Sequence, residues 1–402
     1  MRTYGNYQAK CGSTQKHQES RRSCAQENND CASSEENTDS AWQAGRENGA
    51  PAPIEPGVVV AARTGQVGKL LSIVGGITAA AAITRALLRS ARYMNLNGKV
   101  VLITGGSRGL GLVLAREFAN KGARVAVCAR NERELERVQR EFEEAGWPLM
   151  TATCDVGVRA EIGRVVESVS GQMGGIDVLV NNAGTLIVGP VENQDSESFE
   201  DAMQTNFWGP YYATSAVLDY MKRRRSGRIV NITSIGGKVA FPHLLPYTAS
   251  KFAFVGYSEG LRAELAKYHV FVTTVCPGLM RTGSPRKAEF TGQPEKEYAW
   301  FTISDSLPLA SIGARTAARR IVDACVHGDP EVHLGWTARI GAIAQGCAPG
   351  FMAEMLSVVD RLMPDALPGR PQRQKGEESE SNLTINVATK LTRAAEVDNN
   401  QL

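Results

Sequence analysis

The chain has 402 residues, a formal net charge of +3, and a composition that is 43% hydrophobic and 22% charged. These values are typical of a globular protein of one large or two ordinary domains, and they give no electrostatic reason to expect nucleic-acid binding. The eight cysteines are scattered without a C-x-x-C pair. That pattern argues against a disulfide framework or zinc site and favours a reducing intracellular compartment, either cytoplasmic or membrane-associated.

The chain begins with a polar extension followed by an apolar segment. Residues 1–65 are rich in Gln, Asn, Ser, Glu and Gly and are predicted to be disordered. Residues 66–93 predict an apolar helix, because the 15 residues between Lys69 and Arg85 carry no charge. Spanning a bilayer takes about 20 apolar residues. A short membrane anchor, an interfacial helix and a solvent-side helix therefore remain open.

From residue 96 onward, apolar strands alternate with helix-length sequence. The strand-like runs are "KVVLITG", "ARVAVCAR", "LMTATCDV", "IDVLVNNAG", "GRIVNITS", "VFVTTVCPG" and "EVHLG". This alternation predicts an α/β domain over residues 96–335, a Rossmann-type doubly wound parallel sheet of about seven strands with helices on both faces. Residues 336–364 predict a helical extension, and the polar residues 365–402 predict a disordered tail.

The first predicted strand runs into "TGGSRGLG", residues 104–111. Gly105, Gly109 and Gly111 allow the backbone to turn sharply and to approach a phosphate closely. The N-terminus of the following helix favours negative charge. Because the loop opens the first βα unit, the sequence predicts a nucleotide-binding site here.

The end of the second predicted strand bears on which nucleotide is bound. A site for NAD(H) usually places a carboxylate there to bind the ribose 2′-hydroxyl, but this strand ends in Ala129 and Arg130. A guanidinium at Arg130, with Arg108 in the glycine loop, can bind a 2′-phosphate instead. The sequence therefore predicts a preference for NADP(H) over NAD(H).

The stretch "PYTASKFA" places Tyr247 and Lys251 one helical turn apart. On spacing alone, a half-exposed helix face with a solvated lysine is the commoner explanation. The alternative is that the ammonium lowers the pKa of the phenol, so that Tyr247 exchanges a proton near neutral pH. His243 lies nearby in the sequence, and a loop histidine of this kind is more often solvated than functional.

Taken together, these motifs resemble the short-chain dehydrogenase/reductase family over residues 96–335. In order, the motifs are "TGGSRGLG", "CDV" at 154–156, "NNAG" at 181–184, Asn206, "ITS" ending at Ser234, "YTASK" at 247–251 and "PGLMRT" at 277–282. Ser234 precedes Tyr247 by 13 positions, the family's usual interval. The glycine spacing T-G-x-x-x-G-x-G matches the branch that acts on alcohols and carbonyls.

The resemblance implies a role for each matching residue. Ser234 would hydrogen-bond the substrate oxygen, Tyr247 would deliver the proton, and Lys251 would lower the phenol pKa and hold the ribose hydroxyls. Asn206 would complete the catalytic set by fixing a water, and no metal is implied. The predicted cofactor-binding residues are Gly105, Ser107, Arg108, Gly109, Leu110, Gly111, Arg130, Asp155, Val156, Asn182, Ala183, Gly184, Tyr247, Lys251, Pro277, Gly278 and Thr282.

The resulting prediction is an NADP-dependent oxidoreductase that moves hydride between NADPH and an apolar carbonyl or alcohol. Residues 283–310 would form the substrate loop, whose aromatic side chains either cover the substrate or pack the loop onto the sheet; they are Phe290, Tyr298, Trp300 and Phe301. The expected partners are a small-molecule substrate, a second copy of the chain and, through residues 66–93, a membrane surface, but no nucleic acid. The alternative is a non-catalytic nucleotide-binding or membrane-tethered scaffold on the same fold.

One departure from the commonest family pattern concerns assembly. Many members end on a glycine-rich final strand, but this chain has "DPEVHLGW" followed by an apolar segment. The usual tetramer contacts are therefore not expected. A homodimer formed through the fourth and fifth helices is expected instead.

Overall fold

The computed structural model of the protein describes residues 72, 75–76, 78–306, 311–369, 373–380 and 398–401. The polar extension predicted for residues 1–65 lies outside the described residues. Within the predicted apolar segment, residues 78–91 form a helix, α1. Its end is attached to the main body, because Arg89 pairs with Asp323 at 2.6 Å and with Asp329.

The centre of the fold is a seven-stranded sheet in which every neighbouring pair is parallel. The strands are β1 (Val100–Thr104), β2 (Arg124–Ala129), β3 (Leu149–Thr153), β4 (Val178–Asn181), β6 (Gly227–Ile232), β7 (Val270–Pro277) and β11 (Glu331–Leu334). Their order across the sheet is β11-β7-β6-β4-β1-β2-β3. The predicted doubly wound α/β fold is therefore confirmed, and each strand coincides with one of the seven apolar runs.

The core strand β1 shows why the sequence forms a buried parallel sheet. Val101, Leu102 and Ile103 are 0% exposed, so both faces of the strand are covered, and β1 reads as one continuous apolar run. The strand order changes direction between β1 and β4. In open α/β sheets, ligands bind outside the carboxyl ends of the strands at such a switch point.

Helices cover both faces of the sheet. The first core cluster draws on helices α2 (Gly109–Ala119), α3 (Glu132–Glu144) and α9 (Ala314–His327). The second lies beneath α4 (Arg159–Met173), α6 (Gly209–Arg224) and the end of α7 (Leu245–Leu265). The short helix α5 (Ser196–Met203) continues through a π-helical turn, Gln204–Trp208, into α6.

The predicted substrate loop is largely regular structure. It contains β9 (Glu289–Phe290), which pairs with β5 (Ile187–Val188), and the helix α8 (Pro294–Ser306). The strand β8 (Met280–Arg281) precedes it and pairs with β10 (Ile312–Gly313). Phe290 packs against both Tyr298 and Phe301, whereas Trp300 is 43% exposed.

After β11, the chain forms two further helices and a short strand. The helices are α10 (Trp336–Cys347) and α11 (Pro349–Asp360), and the strand is β12 (Gln374–Lys375). The pairing of β12 with β9 shows ordered structure at one place in the tail predicted to be disordered, residues 365–402, of which residues 370–372, 381–397 and 402 lie outside the described residues. Charge pairing explains the difference, because Lys287 binds Glu377 and Arg286 binds Glu380, each at 2.7 Å, and such contacts leave no apolar pattern in the sequence.

In the part of the chain that the structure describes, no helix has both the length and the apolar character needed to cross a bilayer. The side chains of Ile83 and Leu87 on α1 are 61% and 66% exposed. Contact of residues 66–93 with a membrane surface thus stays a prediction. The cysteines Cys128, Cys154, Cys276, Cys325 and Cys347 are free thiols.

Candidate active site

Most of the predicted site residues follow the carboxyl ends of six strands, β1, β2, β3, β4, β6 and β7. Because the strands are parallel, these ends meet at one edge of the sheet. The helix α7, which begins at Leu245, brings Tyr247 and Lys251 to the same edge.

The glycine loop connects β1 to α2 in a conformation that requires glycine. Gly105 has a φ of +64° and Gly109 a φ of +56°, values that side chains rarely adopt. At Gly111 the limit is space, because an added Cβ would lie 2.1 Å from the carbonyl oxygen of Gly105. The loop therefore presents bare backbone, as a site for a dinucleotide phosphate requires.

The residues after β4 brace this loop. The hydroxyl of Thr104 accepts hydrogen bonds from the backbone amides of Asn182 (3.0 Å) and Ala183 (3.1 Å). The side-chain amide of Asn182 donates to the carbonyl oxygen of Gly105 at 3.0 Å. The two loops at the switch point thus form one hydrogen-bonded unit, with Gly184 exposed at its rim.

The carboxylate of Glu134, which is not among the predicted site residues, is buried under the glycine loop. Glu134 is 6% exposed; it accepts a 2.7 Å hydrogen bond from Ser107 and lies 3.6 Å from the Arg108 guanidinium. Burial lowers the pKa of Arg108, Glu134 partly offsets this, and the nearby charge of Arg130 lowers it further. Asn131 caps α3 by accepting from the Glu134 amide at 3.2 Å, so the pattern N-x-x-E at 131–134 was the available signal.

Arg108 and Arg130 consequently differ in how accessible their guanidinium groups are to a ligand phosphate. The Arg108 side chain is held near Glu134, whereas Arg130 is exposed just after β2. No carboxylate stands at the end of β2, where Ala129 is 9% exposed. The prediction of a cationic 2′-phosphate contact therefore depends mainly on Arg130.

The residues predicted to hold the two ends of the cofactor also lie at this edge. After β3, Asp155 Oδ1 accepts from the amide of Gly157 at 2.9 Å, and Val156 is buried. After β7, the amide of Gly278 donates to Leu334 at 2.9 Å, which extends the β7–β11 pairing past Pro277. Thr282 is 1% exposed and hydrogen-bonds Ser284.

Ser234 and Tyr247 are neighbours at this edge, because a Cβ added to Gly236 would lie 3.1 Å from the Tyr247 ring and 3.4 Å from Ser234 Oγ. Ser234 follows β6 and accepts a 2.9 Å hydrogen bond from the amide of Gly236, which orients its hydroxyl. Burial raises the pKa of Tyr247, and the nearby Ser234 hydroxyl partly offsets that rise. The sequence predicts a lowered phenol pKa; the structure shows a raised one, because removal from water outweighs the neighbouring groups.

Lys251 is 4% exposed and lies behind the phenol. Its Nζ donates to the carbonyl oxygen of Ile232 at 3.1 Å and is 5.7 Å from the centre of the Tyr247 ring. Burial lowers the pKa of Lys251 from 10.5 to about 8. The predicted solvated lysine is thus excluded, and both protonation states are accessible near neutral pH.

Asn206 is 0% exposed and lies in the π-helical turn. Its Oδ1 accepts from the Thr185 amide at 2.9 Å, and its Nδ2 donates to the Thr185 carbonyl and the Ser250 hydroxyl, both at 3.0 Å. A Cβ added to Gly184 would lie 3.0 Å from Asn206 Oδ1 and 3.6 Å from Lys251 Nζ. Asn206 therefore connects the end of β4 to α7 beside the lysine.

His243 contradicts the expectation of a solvated loop histidine. It is 8% exposed, and its Nδ1 lies 2.7 Å from a carboxylate oxygen of Glu297, which is 0% exposed. Glu297 belongs to α8 and His243 to the loop before Tyr247, so this contact attaches α8 to the site. The sequence could not show it, because the two residues are 54 positions apart.

The comparisons with known proteins agree with this geometry. Residues 99–291 match the family model described as short chain dehydrogenase. The Anopheles gambiae protein named Dehydrogenase/reductase SDR family protein 7-like is 41% identical over 199 residues, 48% of this chain and 62% of that protein. The fatty acyl-CoA reductase of Acinetobacter baylyi is 30% identical over 285 residues, 70% of this chain and 90% of that protein. A solved structure of an actinorhodin polyketide ketoreductase variant with NADPH is similar, with a TM-score of 0.54 and 33% identity, covering 60% of this chain and 97% of that one.

Proposed function

The chain belongs to the short-chain dehydrogenase/reductase family, and from this premise we propose that it is an NADP(H)-dependent enzyme that interconverts a carbonyl and an alcohol. The observation that carries the proposal is the proximity of Ser234, Tyr247 and Lys251 to one another, beside a glycine loop at the switch point of the sheet. The bound nicotinamide supplies or accepts the hydride. The residues of the chain handle the proton and the charge on oxygen.

Tyr247 is suited to donate a proton during carbonyl reduction. Because its pKa is raised, the phenol keeps its proton at neutral pH and can give it to the oxygen on which negative charge develops. The amide of Gly236 donates to the Ser234 oxygen and orients the hydroxyl, whose proton would turn to the same substrate oxygen when a carbonyl is bound. The two hydroxyls together stabilise the transition state.

Lys251 and Asn206 support this proton transfer. With a pKa of about 8, Lys251 can be charged or neutral during turnover and can bind the ribose hydroxyls as a donor. Asn206 uses its side-chain amide to hold Thr185 and Ser250, so we assign it a positioning role for the lysine. The water contact that the family resemblance implies for Asn206 stays a prediction.

The proposed preference for NADP(H) depends on charge at the end of β2. Arg130 is exposed there, and a 2′-phosphate would gain a charge-assisted hydrogen bond from it. The ketoreductase structure that resembles this chain was solved with NADPH, which supports the same preference.

The substrate side of the site favours an apolar molecule. The helix α8 and strand β9 pack around an apolar cluster of Phe290, Tyr298, Ala288 and Val188, and the contact of Glu297 with His243 joins α8 to the loop before Tyr247. Three of the four loop aromatics therefore pack into this cluster, and Trp300 is the one with a large exposed surface. We propose that α8 and β9 enclose an apolar carbonyl or alcohol beside Tyr247.

The proposed partner is a second copy of the chain. Trp208 in the π-helical turn, Tyr211 on α6 and Phe252 on α7 are 40%, 39% and 42% exposed. The rings of Trp208 and Tyr211 contact each other and those of Tyr212 and Tyr257. Exposed aromatic clusters of this kind are typical of protein–protein interfaces.

The proposed function is tested with Tyr247→Phe, which removes one hydroxyl and keeps the ring. We expect turnover in a panel of carbonyls with NADPH to fall by at least about 100-fold, as for loss of a general acid, while NADPH binding is retained. Tyr220→Phe is the matched control, because its hydroxyl bonds to Gly174 at the far end of α6. Equal turnover in the wild type and Tyr247→Phe would refute the mechanism.

A further inference from the structure

The segment of residues 398–401 lies against the glycine loop; we call it the occluding segment. The amide of Gly109 donates to the carbonyl oxygen of Asn399 at 2.8 Å. The side-chain amide of Asn400 donates to the carbonyl oxygen of Ser107 at 2.8 Å. Asn399 and Gln401 are only 5% and 3% exposed, so the segment is packed into the loop.

These contacts fall where a phosphate would bind. Gly109 is the first residue of α2, and amides at a helix N-terminus are natural anion donors. In the described part of the chain, no side chain caps this helix; the carbonyl oxygen of Asn399 takes the Gly109 donor instead. A Cβ added to Gly109 would lie 2.7 Å from Gln401 Nε2, so the Gln401 side chain fills the space next to the loop.

The segment is anchored away from the loop as well. Arg116 on α2 donates from Nη1 to the carbonyl oxygen of Asp398 at 2.9 Å. The same guanidinium is held by two hydrogen bonds to Glu141, at 2.6 and 2.8 Å, so the anchor is pre-organised. Asn400 has a φ of +57°, a conformation that asparagine tolerates better than most residues, and its turn directs the contacts toward the loop.

We propose that the occluding segment is autoinhibitory and competes with the phosphates of NADP(H) for the glycine loop. This inference rests on the proposed function, because it concerns the affinity of the same cofactor site. A phosphate held by the N-terminus of α2 would need the Gly109 donor that Asn399 occupies, so the segment and the dinucleotide would exclude each other. Cofactor affinity is therefore reduced by the fraction of molecules in which the segment occupies the loop.

The first test is Asn400→Ala/Gln401→Ala in the full chain, with NADPH binding measured by nicotinamide fluorescence. The double change removes one hydrogen bond and the packing of Gln401, so we expect the Kd for NADPH to fall by about 5- to 10-fold. A chain that lacks residues 398–402 should bind at least as tightly. Gln172→Ala is the matched control, because Gln172 bonds to Ser168 on the exposed face of α4.

The second test adds the segment back in trans. A synthetic peptide of sequence DNNQL, residues 398–402, should compete with NADPH and raise the apparent Kd of the truncated chain for NADPH. The peptide is used at millimolar concentration, because a free peptide lacks the high local concentration that tethering to the chain supplies. Equal Kd values for wild type, double variant and truncated chain would overturn the inference and leave the proposed function standing. Failure of all three chains to bind NADPH or NADH would overturn the proposed function, and the inference with it.

Discussion

Replacing Lys251 with methionine should stabilise the fold in a pH-dependent way. The lysine is 4% exposed, and its folded-state pKa of about 8 lies below the ordinary 10.5. Methionine has a similar volume and no charge. The change therefore removes the cost of burying an ammonium while the packing of α7 against β7 is kept.

The magnitude follows from the shift of the lysine pKa from 10.5 to about 8. At about 1.36 kcal/mol per pKa unit, the charged lysine costs about 3 kcal/mol of stability below pH 8. Between pH 8 and 10.5, the unfolded chain binds more protons than the folded one, so wild-type stability rises relative to that of Lys251→Met. Between pH 7 and pH 10, the charge-dependent difference should shrink by about 2.5 kcal/mol.

The assay is urea unfolding of both proteins at pH 7 and pH 10. Loss of the hydrogen bond to Ile232 adds a constant cost to the variant, so the diagnostic quantity is the change in the stability difference, not its value at one pH. Lys121→Met, in the exposed turn after α2, controls for removal of a surface positive charge. A stability difference that is the same at both pH values would refute the reasoning.

Two further predictions concern the cofactor and the assembly. Arg130→Ala should weaken NADPH binding by about 10-fold or more, because a charge-assisted hydrogen bond to the 2′-phosphate is lost, and it should leave NADH binding unchanged. Arg133→Ala on α3 is the control. Equal losses of affinity for NADPH and NADH would contradict the role assigned to Arg130. Tyr211→Glu should shift the sedimentation of the protein from dimer to monomer, since it places a carboxylate in the exposed aromatic cluster. Val158→Glu, at another exposed apolar position, should leave the assembly unchanged, and an unaffected Tyr211→Glu dimer would exclude this surface.

The sheet was predictable because its physical signal is local. Each of the seven strands is an apolar run, and helix-length sequence separates the runs, so alternation alone specifies parallel pairing. The main catalytic and cofactor motifs follow strand ends, and parallel strands bring those ends to one edge. The glycine loop at 104–111 and the residues after β4 were therefore placed together without any knowledge of distance.

The remaining features depend on contacts between distant parts of the chain. Glu134 contacts the loop residues Ser107 and Arg108 because α3 begins beside the glycine loop. The N-x-x-E pattern at 131–134 predicts the start of a helix, but it does not predict that the helix lies next to this loop. The pairing of His243 with Glu297 requires the position of α8 over the site. Polar composition likewise cannot show where residues 398–401 lie, because their contacts are backbone and amide hydrogen bonds that bury little apolar surface.

The direction of the phenol pKa connects the fold to the chemistry. Spacing suggested that Lys251 activates Tyr247 by its charge, but burial raises the pKa of the phenol and lowers that of the lysine. Both shifts arise from the same removal from water at the edge of the sheet. The pKa of the lysine thus moves toward neutral pH while the phenol keeps its proton, which is the protonation state that the proposed carbonyl reduction requires of Tyr247. A cofactor whose ribose hydroxyls hydrogen-bond the ammonium would lessen its burial cost, so binding of NADP(H) should raise the pKa of Lys251.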